Sequence, residues 1–326
     1  MTSVALVALG GTIDSLGQSR LDLAWYHEHG QRLRPGELVG ALPELRDIAA
    51  VEEIGFRRLS SSALTTRDWL DLARTVRRVL AEYDGVVLTH GTNTLEETAY
   101  FLHLAVPSDK PVVLTGAIRP ASAISPDGHL NLVRAVQVAA ADSARGYGAL
   151  VVMNDTVFSA RDVTKTTPFR VDAFQAPGLG PLGHVDADGR LVLSHRPRGL
   201  GRPEFDVDGL DDLPRVDVVV SYVGADGALV DAAVAAGARG IVSAGTGGGR
   251  PTPGEEAALD RALAAGVVVC QGTRVGSGRV PRSASWCERG VVAAGSLQPW
   301  KARVLLSLAL TYTSDPDVLQ ELFDTL

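Results

Sequence analysis

Two kinds of pattern alternate along the chain. "VALVAL" (4–9), "GVVLT" (85–89), "PVVLTG" (111–116) and "ALVVMN" (149–154) are short, continuously apolar and rich in β-branched residues. Such runs predict strands buried on both faces. Between the first two lies "TTRDWLDLARTVRRVLAEYD" (65–84), where Trp69, Leu72, Ala73, Val76, Leu80 and Tyr83 recur at helical spacing with arginines opposite. "TLEETAYFLHL" (94–104) opens with Thr94-x-x-Glu97, a capping-box signature that predicts a helix start there. A second series follows: "VDVVVSYV" (216–223), a helix near 227–236, "GIVSAG" (240–245), a helix near 254–265, and "GVVVCQG" (266–272). A last helix, "WKARVLLSLALTY", starts near 300. Strand–helix alternation predicts an α/β fold with a mainly parallel sheet flanked by helices.

The stretch "RPRGLGRPEFDVDGLDDLPR" (196–215) is rich in Pro, Gly and Asp and has no apolar period. It reads as a linker. The expected organisation is a larger N-terminal domain (1–195) and a smaller C-terminal α/β domain (216–326). A length of 326 residues suits two cores better than one.

Composition narrows the class. Charged residues are 21% and aromatics 5%, the profile of a compact α/β protein. A net charge of −7 argues against nucleic acid as partner, since a binder needs a basic face. No apolar run reaches the roughly 18 residues of a membrane span, and the N-terminus has no secretory pattern. The expected location is cytoplasmic. Cys270 and Cys287 make neither a disulfide framework nor a metal site, and Cys270 reads as a small buried hydrophobe. The seven histidines are scattered, so neither metal nor other cofactor is expected. His90 reads as an orienting or packing residue.

Ligands of open parallel sheets sit beyond the carboxyl ends of the strands. Three polar clusters fall there: "GGTIDS" (10–15), "THGTNT" (89–94) and "TGAIRPAS" (115–122). A lone "GGT" is explained by a tight turn. Two Gly-Thr pairs at the ends of different strands say more, because Gly admits a ligand close to the backbone and Thr offers a hydroxyl nucleophile.

"GGTI", "THGTNTLEETAYFL", "GAIRPASAISPDGHLNL", "VVMNDTVFSARDVTKT" and "KARVLLSLAL" occur in the order seen in the bacterial-type asparaginase/glutaminase family, and the chain resembles that family over essentially its whole length. The resemblance implies an amidohydrolase that cleaves the side-chain amide of asparagine through a threonine acyl-enzyme. It implies Thr12 as the nucleophile, Thr92 as the second catalytic threonine and Lys165 as its partner. A partly desolvated lysine can lose its charge near neutral pH. Tyr26 matches the tyrosine of the family's mobile lid; an ordinary aromatic packed beside Trp25 is the alternative. Ser61, Ser62, Gly91, Asn93 and Ala117 match substrate-binding positions. The resemblance also implies a homo-oligomer, a dimer of dimers, with a small-molecule amide as substrate.

Several positions depart from the family pattern. Ser62 stands for Gln, Asn93 for Asp, Leu9 for Thr, and Asp14 for a small residue. Where the family supplies a glutamate from a neighbouring subunit, this chain has Ser283 to Ser285, with Glu288 a few residues late. Positions that grip an α-ammonium are thus neutral or shortened, and losing a charged hydrogen bond weakens binding by roughly tenfold per contact. Asp14 offers a compensating charge or else caps a turn.

Three hypotheses follow from these residues. The first is an asparaginase, the second a hydrolase of the same mechanism whose amide or lactam substrate lacks a free α-amino group. The third is a non-catalytic small-molecule binder using the Gly-rich turns, "GTGGGR" (245–250) among them. Turnover of succinamic acid against asparagine separates the first two; binding without hydrolysis across an amide panel marks the third.

Overall fold

A computed structural model of the chain describes residues 1–197 and 205–326. Two compact units are present: the N-terminal part of the chain joined by Asp206–Asp208, and the C-terminal part running Gly209–Leu326. The expected linker, 196–215, lies partly outside the described residues. Its Asp206–Asp208 stretch is fastened to the first unit, where Arg77 Nη1 pairs with Asp208 Oδ1 at 2.9 Å.

In chain order the strands are β1 (Ser3–Ala8), β2 (Ala50–Gly55), β3 (Gly85–Thr89), β4 (Val112–Thr115), β5 (Ala149–Met153), β6 (Thr156–Ser159), β7 (Thr164–Lys165), β8 (Phe174–Gln175), β9 (Gly183–Val185) and β10 (Leu191–Leu193). The second unit adds β11 (Val216–Val220), β12 (Gly240–Gly245), β13 (Val268–Thr273) and β14 (Val292–Ala293). The larger sheet has the order β10-β9-β6-β5-β4-β3-β1-β2. From β2 to β5 neighbouring strands are parallel, and β6, β9 and β10 extend the sheet antiparallel. The smaller sheet, β11-β12-β13-β14, is parallel throughout.

The apolar runs form strands because both faces are covered. Val4, Leu6, Val87, Val113, Leu150 and Val152 share one buried cluster with Leu132, Ala135 and Val136 of the helix Gly128–Ala140. In the second unit Val219, Ile241 and Val269 pack with Val230, Leu259 and Ala262. The helix Thr66–Glu82 buries Trp69, Leu72, Ala73, Val76 and Leu80, the residues its periodicity selects, and Thr65 caps it through a capping box with Asp68. No helix of the described residues is long and apolar enough to cross a membrane.

The helix Leu95–Ala105 starts where expected, but the Thr94 side chain does not cap it. Its hydroxyl instead donates to the Ser61 carbonyl at 2.8 Å, tying a different loop to the end of β3. A Thr hydroxyl faces both choices at a helix start, and here the tertiary acceptor wins over the local one.

Candidate active site

β1 is flanked by β2 on one side and β3 on the other, so the chain leaves it in opposite directions across the sheet. That reversal opens a crevice beyond the carboxyl ends of β1 and β3. Thr12 follows β1 and Thr92 follows β3; the two strands are in register with Ala8 opposite Thr89. Both threonines line one cleft of about 490 Å³.

The two loops touch through backbone. Gly11 has φ +114°, and a Cβ there would stand 2.6 Å from Gly91 Cα. A Cβ on Gly91 would stand 2.6 Å from Ser61 Oγ. These glycines let the loops after β1 and β3 and the Ser61 turn close around one point, which side chains would prevent.

Two hydroxyl pairs face the cleft. Thr12 Oγ1 lies 2.8 Å from the Tyr26 hydroxyl. Lys165 Nζ donates to Thr92 Oγ1 at 2.9 Å. Burial pushes the Tyr26 phenol above its ordinary range, the hydrogen bond from Thr12 opposes that, and the Asp127 and Asp22 charges add to it. The phenol is therefore neutral and serves Thr12 as a hydrogen-bond partner. Burial pulls the Lys165 ammonium down, against the nearby Glu96 carboxylate, which favours the charged form. Lys165 lies on β7, held against β8, and its N–H donates to Glu96 Oε1 at 3.2 Å.

Of the sequence-expected residues, Thr12, Tyr26, Thr92, Lys165, Ser61, Ser62, Gly91 and Asn93 all line the cleft. Ala117 is the exception. Its side chain is fully buried in the sheet–helix core, and the neighbouring Ile118 lines the cleft in its place. The loop that carries both is fixed by Asp127, which accepts from the N–H groups of Ile118 and Arg119.

Asp14 offers the cleft no charge. It is buried, pairs with the Arg58 guanidinium, and does not line the cleft. Its backbone carbonyl accepts from Leu33 N–H, and Arg58 Nη1 donates to the Leu33 carbonyl at 2.9 Å. The pair thus fastens the base of the 13–33 segment that presents Tyr26. Ser283 caps the short helix Ala284–Glu288 of the second unit, accepting from Trp286 N–H, and Glu288 on that helix is exposed.

Phe169, Pro168 and Arg32, none of them expected from the sequence, also line the cleft. "TTPFR" has no period and no motif, and its placement follows only from the β7–β8 pairing.

His90 is fully buried, with Nδ1 donating to the Gly91 carbonyl at 2.7 Å and burial holding its pKa at about 4. The neutral ring is a structural brace for the Gly91 turn. Because the folded value lies below the ordinary 6.5, this stability is complete above pH 6.5 and is lost as pH falls toward 4. About 2 kcal/mol should disappear between pH 7 and pH 5. Urea unfolding of the wild type and of His90→Gln at both pH values checks this: the variant's acid-side loss should be smaller by about that amount.

The chain matches the family model described as "Asparaginase, N-terminal" over residues 3–198 and the "Glutaminase/Asparaginase C-terminal domain" over residues 215–323. It belongs to the asparaginase family. L-asparaginase 2 of Bacillus subtilis is 41% identical over 99% of this chain and 86% of its own length. A probable periplasmic L-asparaginase of Haemophilus influenzae is 41% identical over 99% of this chain and 93% of its own. The crystal structure of a probable cytoplasmic L-asparaginase from Campylobacter jejuni superposes with a TM-score of 0.95 at 39% identity, covering 100% of both chains. The α/β architecture, with a larger mainly parallel sheet and a smaller parallel one, is that of the family.

Proposed function

We propose that the chain hydrolyses the side-chain amide of L-asparagine to aspartate and ammonia through a threonine ester. The observation that carries this reading is the cleft itself, where a hydroxyl paired with a neutral phenol and a hydroxyl paired with a desolvated amine lie at adjacent strand ends. The relatives' names concern the same substrate.

In the forward step Thr12 Oγ1 adds to the amide carbon, its proton passes to the departing nitrogen, and ammonia leaves. Water then cleaves the ester, returning the proton to Thr12 and releasing the carboxylate. Lys165, whose pKa burial lowers, is the amine lining the cleft that takes a proton when it is neutral, and Thr92 is the hydroxyl it touches. The Tyr26 phenol holds the Thr12 hydroxyl in one orientation. Coupled measurement of ammonia and aspartate from asparagine tests the reaction; a chain that binds asparagine and releases neither product is not this enzyme.

One observation favours a second reading within the same chemistry. Thr92, not Thr12, is bonded directly to the amine. Direct activation by that base would make Thr92 the nucleophile and Thr12 the hydroxyl that holds the substrate.

The charge on Glu96 should set the pH dependence. Lys165 works as a base only when neutral, so kcat/KM rises with pH through its pKa. Glu96→Gln removes the charge that holds that pKa up, and the rise in kcat/KM should move to lower pH. A pH–rate profile checks the direction; a shift to higher pH would mean that Glu96 acts otherwise. We place the reaction in the cytoplasm, in line with the name of the Campylobacter protein.

A further inference from the structure

Resting on the amidohydrolase reading, we propose that this cleft takes asparagine whose α-nitrogen is acylated by an apolar group, with Trp25 and Phe169 forming the acyl subsite. Charge is the first ground. The cleft is lined by the Arg32 guanidinium and the Lys165 amine and by no carboxylate. Four carboxylates near it, Asp14, Asp22, Glu96 and Asp127, stand back from the cleft wall and hold bonds of their own, with Asp14 Oδ1 and Glu96 Oε2 left without a partner. Asp14 is paired with Arg58, and Asp22 accepts from the N–H groups of Gln18 and Trp25. Glu96 accepts from Lys165 N–H, and Asp127 from Ile118 and Arg119. Asn93, exposed on the cleft wall, offers an amide. An α-carboxylate is welcome among these groups and an α-ammonium finds no carboxylate on the cleft wall to bond to, whereas an acylated nitrogen is neutral and carries a carbonyl for Asn93 to donate to.

Shape is the second ground. Trp25 is 65% and Phe169 64% exposed, and both line this cleft. One exposed aromatic is ordinary, but two from separate loops facing the same cleft are an apolar wall awaiting cover. The backbone that carries each is held: Trp25 N–H donates to Asp22, and Phe169 sits in the turn of the β7–β8 ribbon, where Thr166 N–H donates to the Ala173 carbonyl at 2.7 Å. Because that ribbon also presents Lys165, the base and the acyl wall are set by one element.

The chemistry is that of the parent reaction. Water cleaves the side-chain amide, ammonia leaves, and the N-acyl bond stays intact, giving N-acyl-aspartate.

The test compares kcat/KM for ammonia release from asparagine, N-acetyl-asparagine, N-hexanoyl-asparagine and succinamate on the full chain. N-hexanoyl-asparagine should match or exceed asparagine and exceed the N-acetyl compound. Phe169→Ala and Trp25→Ala should each lower the hexanoyl-to-asparagine ratio about tenfold. Asn93→Asp should also lower that ratio about tenfold, but by raising turnover of free asparagine rather than by weakening the acylated substrate. Free asparagine preferred more than tenfold over both acylated amides overturns the proposal, as it would if a second copy supplied Glu288 to the ammonium. Equal loss on all substrates in Phe169→Ala also overturns it. No ammonia from any of the four substrates instead brings down the amidohydrolase reading beneath it.

Discussion

Thr12→Ala is expected to lower kcat/KM for asparagine by at least about a thousandfold, because it removes the atom that becomes bonded to the substrate. The fold should tolerate the change. Thr12 is only half-buried, and its side chain makes one hydrogen bond, to the Tyr26 hydroxyl. The adjoining Gly11–Gly91 contact is between backbones and does not depend on the threonine. The urea midpoint of the variant should therefore stay near that of the wild type while turnover collapses. Thr12→Ser keeps the hydroxyl and should retain far more activity than the alanine variant. Loss of activity accompanied by an equal loss of stability would mean that Thr12 is a structural residue of the turn.

Lys165→Met should cost about 10²–10⁴ in kcat, the range for removing a positioned proton acceptor. Methionine fills the same unbranched volume in a half-buried place, so packing is kept and the change is chemical. It leaves the Thr92 hydroxyl with no amine at 2.9 Å and removes the titrating group that the Glu96 charge acts on. Two readouts separate this from a folding defect. The pH-dependent rise in kcat that the wild type owes to deprotonation of Lys165 should vanish in the variant, and KM should change much less than kcat. A variant with the wild-type pH profile would assign the base to another group.

Much of this was legible in the sequence, for identifiable reasons. The strands β1, β3, β4, β5 and β12 are short apolar runs because helices cover both sheet faces, and their shortness and β-branched residues separate them from a buried helix such as Pro299–Ala309. The threonines were legible because two Gly-Thr pairs end two different strands and stand in motifs that resemble a known family; either pair alone reads as a tight turn. β2 was not legible: "AVEEIG" lies at the sheet edge, with Glu53 half-exposed and Ala50 and Glu52 turned to solvent or its margin, and so carries no apolar run. The antiparallel strands β6, β9 and β10 are short, and their pairing depends on partners distant in sequence. Thr94 shows the limit of local motifs, since its hydroxyl satisfies the capping pattern in sequence and bonds to Ser61 in space. Ala117 shows another: a motif fixes which loop approaches the cleft, but a turn of backbone decides which side chain faces it. Asp14 shows the same limit for charge. Its carboxylate is present in the sequence, yet the Arg58 guanidinium takes it out of reach of a ligand.

The most direct measurement is the site of the covalent intermediate. The enzyme is mixed with asparagine, quenched in acid within the first turnovers, digested, and mapped by mass spectrometry. The expected product is a peptide heavier by asparagine less ammonia, with the ester on Thr12 and absent from Thr12→Ala. An ester on Thr92 that persists in Thr12→Ala would contradict it and make the hydroxyl bonded to Lys165 the nucleophile.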